Sequence, residues 1–365
     1  MTRIVLAVTN DLTYDQRMQR ICSTLAEAGY SVTLVGRHRR GSLPLRERPY
    51  AQKRLHCFFE RGPLFYAAFN LRLFLYLMFV KSDGFCANDL DTALPCLFAG
   101  KLRKKVLFYD AHELFPEMKE VRRRPRLQRF WMWAEALTCA HIPNRYTVAE
   151  GIAELFRERQ GKDFAVVRNV PQPAPLPGPV TGEAYILYQG AVNEGRGFEW
   201  LIPAVRSFEL PLVICGDGNF MPQLRALIVR EGVGDKVRLT GMLLPEELRR
   251  YTAGARIGVN FTEPEGLNQL YCLPNKFFDY VQAGVPQVTN DYPEYQRHNR
   301  AHEVALLIPD MNPETIAAAV NRLCSDKALY ERLRVNALQA RAEWNWAHEA
   351  PRLLAVYQKA FADAR

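Results

Sequence analysis

The chain of 365 residues lacks the signatures that would tie it to a metal, a disulfide framework or a nicotinamide. Its eight cysteines are scattered, with no C-x-x-C pair and no Cys/His cluster. That argues against a zinc site and a disulfide scaffold, and fits a reducing compartment. No G-x-G-x-x-G is present: Gly195-Arg196-Gly197 and Gly216-Asp217-Gly218 fall short of it, so a nicotinamide enzyme has little support. The most apolar stretch, Pro63–Val80, is shorter than the roughly 20 residues that span a bilayer, and it contains Asn70 and Arg72. A core or partly exposed helix is expected there, with monotopic membrane contact as the sharper alternative. No signal peptide is read at the start, where Met1-Thr2-Arg3 runs straight into the apolar strand Ile4–Val8. The expected location is cytoplasmic, or peripheral at the inner face of the membrane.

What is present is an ordinary globular mixture, 48% hydrophobic and 24% charged, long enough for two domains. The charge is uneven. Through residue 170, 28 Lys and Arg oppose 17 Asp and Glu, whereas the remainder is close to neutral. Arginine concentrates in Arg37–Arg40, Arg46–Arg61 and Arg122–Arg129, and Lys101–Lys105 adds a further basic run. Such asymmetry points to an anionic partner on the N-terminal side, or to a plain solvated basic surface. Nucleic acid would rest on charge alone, with no recognition motif to name.

Strand and helix patterns alternate. Apolar runs at Ile4–Val8, Ser31–Val35, Gly84–Ala87, Val106–Tyr109 and Tyr146–Val148 are each followed by a polar loop or a helical pattern such as Gln16–Ala28. Five prolines between Asn169 and Pro179 read as a stiff linker. Alternation then restarts. Strands are expected at Tyr185–Tyr188, Leu212–Cys215, Val237–Thr240, Ile257–Asn260 and Gln287–Asn290. Helices are expected at Gly197–Ser207, Phe220–Glu231, Pro245–Tyr251 and Asn275–Ala283, and the tail Tyr330–Phe361 is helical in pattern. The βαβα order predicts an α/β protein of two doubly wound domains, 1–170 and 181–340. A linker at 171–180 joins them, and a C-terminal helix, 341–365, packs back toward the first. Ligands of such sheets gather beyond the carboxyl ends of the strands.

Three strand ends in the second half carry candidate chemistry. After Tyr188-Gln189, Gly190 lets backbone approach a ligand, and Arg196 can fork across phosphate oxygens near a helix N-terminus. Gly216-Asp217-Gly218 is a tight turn suited to a flat base or sugar, or simply a βα turn. The segment from Glu263 through Asn268 to Leu273-Pro274-Asn275-Lys276 ends in a helix whose first-turn amides, with Lys276, make a phosphate site. Asp279 lies three to four residues beyond Lys276 and Asn275 and shares their face. Its carboxylate suits the two hydroxyls of a ribose. The plain alternative is an Asp279–Lys276 surface pair. Asp89 and Asp91 form an Asp-x-Asp in the first half. They are read as loop or helix-capping residues, and no metal is expected.

These residues resemble the GT-B-fold glycosyltransferases of glycosyltransferase family 4, a retaining family. The likeness covers nearly the whole chain, including Asp15-Gln16-Arg17, Tyr109-Asp110-Ala111-His112-Glu113 and the entire second half. In that family a Gly-Arg…Lys-Gly loop grips the donor diphosphate; Gly190 and Arg196-Gly197 match it, with Ala191 at the first basic position. Of the family's two glutamates eight residues apart, the second matches Asp279 and the first falls on Tyr271. The Leu273-Pro274-Asn275-Lys276 form resembles a subgroup in which Lys276 takes over part of the phosphate binding. By resemblance His112 sits near the donor sugar, bonding its hydroxyls or the departing phosphate, and Glu113 orients its loop.

The resemblance implies transfer of a sugar from a nucleoside diphosphate sugar to a hydroxyl acceptor, with neither cofactor nor metal. His112, Arg196 and Lys276 would be catalytic. Gly190, Gly216, Asp217, Gly218, Asn268, Asn275 and Asp279 would bind the donor. The acceptor, a saccharide or lipid-linked group at an anionic membrane, would enter near Asn10, Asp15, Arg17 and Glu113. Domain closure about the linker would exclude water. Two other readings remain open: a nucleotide-sugar epimerase of the same fold, and a degenerate nucleotide-sugar-binding protein marked by Ala191 and Tyr271.

Overall fold

Strands buried on both faces read as continuous apolar runs, and helices must then cover both faces of a parallel sheet. The computed structural model describes residues 1–13, 15–60, 62–175 and 183–364. It divides into two compact units, Met1–Arg168 with Glu349–Arg365, and Asn169–His348.

The first unit holds seven parallel strands: β1 (Arg3–Ala7), β2 (Ser31–His38), β3 (Ala51–His56), β4 (Gly84–Asn88), β5 (Val106–Ala111), β6 (Asn144–Thr147) and β7 (Ala165–Val166). Their order is β3-β2-β1-β4-β5-β6-β7, so the chain reverses direction across the sheet between β1 and β4. Helix Gln16–Glu27 follows β1, and Asp15 caps it by accepting the Met18 amide at 3.0 Å. Helix Gly62–Phe79 buries a stripe of Phe65, Phe69, Leu73 and Leu77 at every fourth residue. Leu64, Leu71, Leu75 and Phe79 remain exposed, so the apolar stretch is only partly core. Helix Trp346–Asp363 closes this unit by stacking Tyr357 on Phe108, with ring centroids 4.1 Å apart.

The second unit repeats the plan with six parallel strands: β8 (Ile186–Gln189), β9 (Leu212–Cys215), β10 (Val237–Gly241), β11 (Ile257–Asn260), β12 (Gln287–Asn290) and β13 (Ala305–Ile308). Their order is β10-β9-β8-β11-β12-β13. The switch in direction falls between β8 and β11, the place where such sheets bind ligands.

Three strands were not expected from the sequence. The strand β3, AQKRLH, is a polar edge with no fully buried residue, β7 has two residues, and β13 is four residues at the far edge. The helical tail is two helices, Lys327–Ala340 and Trp346–Asp363. The amide of Asn345 closes the break by donating to the carbonyls of Arg341 and Ala342. Within the proline-rich segment, 171–175 has no regular structure, and 176–180 lies outside the described residues.

Candidate functional site

In the second unit, the carboxyl ends of β8, β9 and β11 bring most of the expected donor residues together. The loop after β8 and the turn after β9 are zipped by backbone bonds from Gly190 N–H to Cys215 O (2.9 Å), Val192 N–H to Asp217 O (3.0 Å) and Phe220 N–H to Val192 O (3.0 Å). Two glycines make this approach possible. Gly216 has φ +153°, and a Cβ there would lie 1.9 Å from the carbonyl oxygen of Gly190. Gly190 itself has φ +115° and turns its bare Cα toward the Lys276 side chain. The Asp217 carboxylate accepts the Gly218 amide at 2.7 Å, which fixes the turn and leaves the side chain at the surface.

Helix Asn275–Ala283 delivers the cation. Pro274 sits at its N-cap position, where the missing N–H costs no helical bond. Lys276 in the first turn is 7% exposed, and its ammonium finds no hydrogen-bond partner. It lies 3.6 Å from the centroid of the Tyr188 ring, a cation–π contact. Burial, and then the positive Arg196, hold the Lys276 amine well below the usual lysine range. The surface pair with Asp279 weighed from the sequence is therefore not formed. Asp279 instead accepts the Gln189 side-chain amide at 2.9 Å, and Gln189 in turn accepts the hydroxyl of Thr252 at 2.7 Å. Asn268 is buried in the short helix Leu267–Leu270 before the same helix, and Asn275 is exposed at its start. Arg196, half-buried, lies in the loop before helix Phe198–Ala204. A buried ammonium without a hydrogen-bond partner, next to a second cation and a helix N-terminus, forms a site poised for anion charge.

In the first unit, the ends of β4 and β5 hold a compact charge cluster. The His112 ring is clamped on both nitrogens, Nδ1 3.1 Å from Asp89 and Nε2 2.8 Å from Asp110. Burial opposes its charge, but Asp110 and Asp89 outweigh that and raise its pKa to about 10. His112 is thus a fixed imidazolium, and both ring nitrogens are already engaged by carboxylates. Arg17 is buried and committed to Asp110 at 2.8 Å and to the Val167 carbonyl at 3.1 Å, which makes it a support beneath the strand ends. Asn10 donates to Asp15 at 3.1 Å. Glu113 is half-buried beside His112.

Of the two readings of the Asp-x-Asp, loop and helix cap, the loop holds for Asp89, which occupies the N-cap position of the 3-10 turn Leu90–Thr92 without a side-chain cap bond, while Asp91 lies inside that turn. Asp89 adopts φ +64°, rare for a residue with a Cβ, and its carboxylate takes both the His112 amide (2.8 Å) and its ring. Asp91 is buried against the Thr9 hydroxyl at 2.5 Å. Among the described residues no group of three or more His, Cys, Asp or Glu is placed to hold a metal.

Burial, then Asp89, pushes Asp91 up to about 7. A carboxyl raised in the folded state favours folding at acid pH, and that contribution is lost as pH rises through its folded pKa. Melting temperatures at pH 5 and pH 8 will therefore differ less in Asp91→Asn than in the wild type, because the variant lacks the loss between about pH 4 and pH 7. An equal difference in both proteins would contradict this assignment.

The sequence did not single out Gln189, Thr252, Tyr188 or Asp91 as functional. The one available signal was a buried strand ending in a polar residue, Gln189.

Residues 183–326 match the family model described as glycosyl transferases group 1. This segment holds every donor-side residue named above. The chain is 25% identical over 190 residues to an alpha-D-kanosaminyltransferase from Streptomyces kanamyceticus, a match covering 48% of this chain and 45% of that protein. The matched segment thus spans less than half of that relative's length. Among solved structures, a sucrose-phosphate synthase from Thermosynechococcus elongatus superposes with a TM-score of 0.78 at 19% identity, covering 100% of both chains. Anabaena Alr3699/HepE, crystallised with UDP and glucose, gives 0.77 at 11% identity, over 98% of this chain and 100% of that one. At such identities the likeness establishes the fold, and that fold is GT-B.

Proposed function

Starting from a chain that carries a glycosyl transferases group 1 domain on a GT-B fold, we propose that it transfers a sugar from a nucleoside diphosphate sugar to a hydroxyl acceptor, with retention at the anomeric carbon. The observation that carries this reading is the buried Lys276 ammonium, without a hydrogen-bond partner and repelled by Arg196. A diphosphate supplies the missing anion.

In this reaction Lys276, Arg196 and the first-turn amides of helix Asn275–Ala283 take up the charge that develops on the leaving diphosphate. They do so in place of a metal. Asp279, oriented by Gln189, accepts the ribose hydroxyls, and the Gly216–Gly218 turn lies against the base. The conformation of Gly190 lets the phosphates pass close to backbone. His112 acts as a fixed positive charge instead of a proton relay, because its ring protons are held by Asp89 and Asp110. The acceptor is a saccharide or lipid-linked hydroxyl on the first unit, in assembly of a cell-surface polysaccharide or glycolipid at the inner face of a membrane. The basic balance of that half supports this part of the reading.

The test is a thermal shift with UDP, GDP, their sugars and UMP, with and without EDTA. A saturating diphosphate, at about 100 times its Kd, will stabilise by about 2.7 kcal/mol, with the monophosphate weaker and EDTA without effect. No shift with any of them would sink the donor site, whereas a shift without turnover would put the degenerate binding protein, marked by Ala191 and Tyr271, ahead.

A further inference from the structure

Opposite charges three residues apart on a helix share a face and can pair. Lys276 and Asp279 stand at that spacing in helix Asn275–Ala283, yet the Lys276 ammonium has no hydrogen-bond partner. Two successive residues at the end of β8 hold the pair apart. Successive side chains of a strand point to opposite faces. Tyr188 belongs with Ile186 to the core on one face, and its ring centroid lies 3.6 Å from the Lys276 nitrogen. Gln189 points the other way, toward Thr252 of helix Pro245–Gly254, and donates its amide to Asp279 at 2.9 Å.

Both holds are fixed from behind. The Tyr188 hydroxyl donates to the Ala191 carbonyl at 2.8 Å. The Gln189 oxygen accepts the Thr252 hydroxyl at 2.7 Å, so its amide nitrogen is the atom left to face Asp279. Gln189 and Thr252 are 2% and 4% exposed, which leaves water little chance to compete for these bonds. An ammonium already paired with a carboxylate must lose that partner before a phosphate can take it. One held apart is ready for the phosphate without that cost.

We propose that Gln189 is a positioning residue for the phosphates: by holding Asp279 on the other face of β8, it keeps the Lys276 ammonium open to a diphosphate. This goes beyond aligning Asp279 for a ribose, and it rests on the reading of Lys276 as a diphosphate-binding group.

The experiment is calorimetric titration of the full chain with UDP and with inorganic pyrophosphate, which carries no ribose. Gln189→Met keeps the length of the buried side chain and offers Asp279 no donor. Thr252 then donates to the Leu248 carbonyl, already 2.9 Å away. The variant will bind pyrophosphate about tenfold more weakly than the wild type, and UDP at least as much more weakly. Asp279→Asn removes the competing carboxylate, so adding Gln189→Met to it will change pyrophosphate affinity by less than about twofold.

Proton uptake gives a readout that packing alone would not move. The charges acting on Lys276 are those of Arg196, Cys272 and Asp279. An Asp279 released toward Lys276 raises its pKa before any ligand arrives. Above the depressed pKa of the wild-type amine, Gln189→Met will therefore take up fewer protons on binding pyrophosphate. Circular dichroism and melting confirm that the variants fold. Wild-type pyrophosphate affinity in Gln189→Met would confine Gln189 to the ribose, and a tenfold loss that persists beside Asp279→Asn would make its role one of packing. Either result, or undiminished proton uptake, overturns the proposal. A wild type that binds neither ligand would instead sink the donor reading, and this proposal with it, before any variant is compared.

Discussion

Lys276→Met is expected to lower sugar transfer by about two to three orders of magnitude, the effect of removing one preorganised charge donor from a transition state. Methionine keeps the apolar stem against Tyr188 and relieves the burial of an ammonium without a hydrogen-bond partner. The folded protein should therefore be no less stable, and loss of turnover without loss of melting temperature separates chemistry from packing. A second readout follows from the depressed amine. Burial and Arg196 keep Lys276 well below the usual lysine range. An anion placed beside it reverses that bias and raises its pKa, so at a pH above the depressed pKa of the free amine binding of UDP will draw in protons. Calorimetry of UDP binding in buffers of different ionisation heat will show this uptake in the wild type, and Lys276→Met will lose it. Near-normal turnover in the variant would remove Lys276 from the catalytic group, and Arg196→Ala would then carry the remaining test.

The largest effect on stability is expected from Asp110→Ala. Asp110 is fully buried and bonds both Arg17, at 2.8 Å, and His112, at 2.8 Å. Removing it leaves the buried Arg17 guanidinium without its carboxylate and His112 with Asp89 alone, and breaking such a buried pair costs about 3–5 kcal/mol. Melting or denaturant titration will show the loss. The pH dependence gives a check on cause. Arg17 and His112 outweigh burial and hold Asp110 below the ordinary carboxylate range. The stability it contributes is present above that range and lost as pH falls, so the variant will also show a flatter acid limb. A variant within about 1 kcal/mol of the wild type would mean that Arg17 and His112 find other partners.

Both effects come from groups whose meaning was only partly legible in the sequence. The strands Leu212–Cys215, Ile257–Asn260 and Gln287–Asn290 and the helix Asn275–Ala283 have the ends their residues announce. Short buried strands carrying β-branched residues leave little freedom, and Pro and Gly or Asp bound two of the three. Strand β3 was illegible because an edge strand need not be apolar. It pairs through backbone, with Thr33 of β2 opposite Ala51 and His38 opposite His56, and the two histidine rings stack at 4.2 Å.

At the site, Lys276 was legible because its helix start is local. Its missing partner was not, since that depends on Gln189 claiming Asp279 from 90 residues away. His112 illustrates the same limit. Its two clamps lie at the ends of neighbouring strands, where Asn88 pairs with Asp110. Only that register brings Asp89 over the ring.

Helix Trp346–Asp363 begins where the second unit ends and supplies Tyr357 to the core of the first. A cut near residue 168 thus leaves the first unit without Glu349, which accepts the Arg168 guanidinium at 2.7 Å, and without the ring stacked on Phe108. Chimeras that exchange first units between chains of this fold should carry 349–365 along with 1–168. Isolated expression of the first unit calls for the same tail, spliced in behind a short linker.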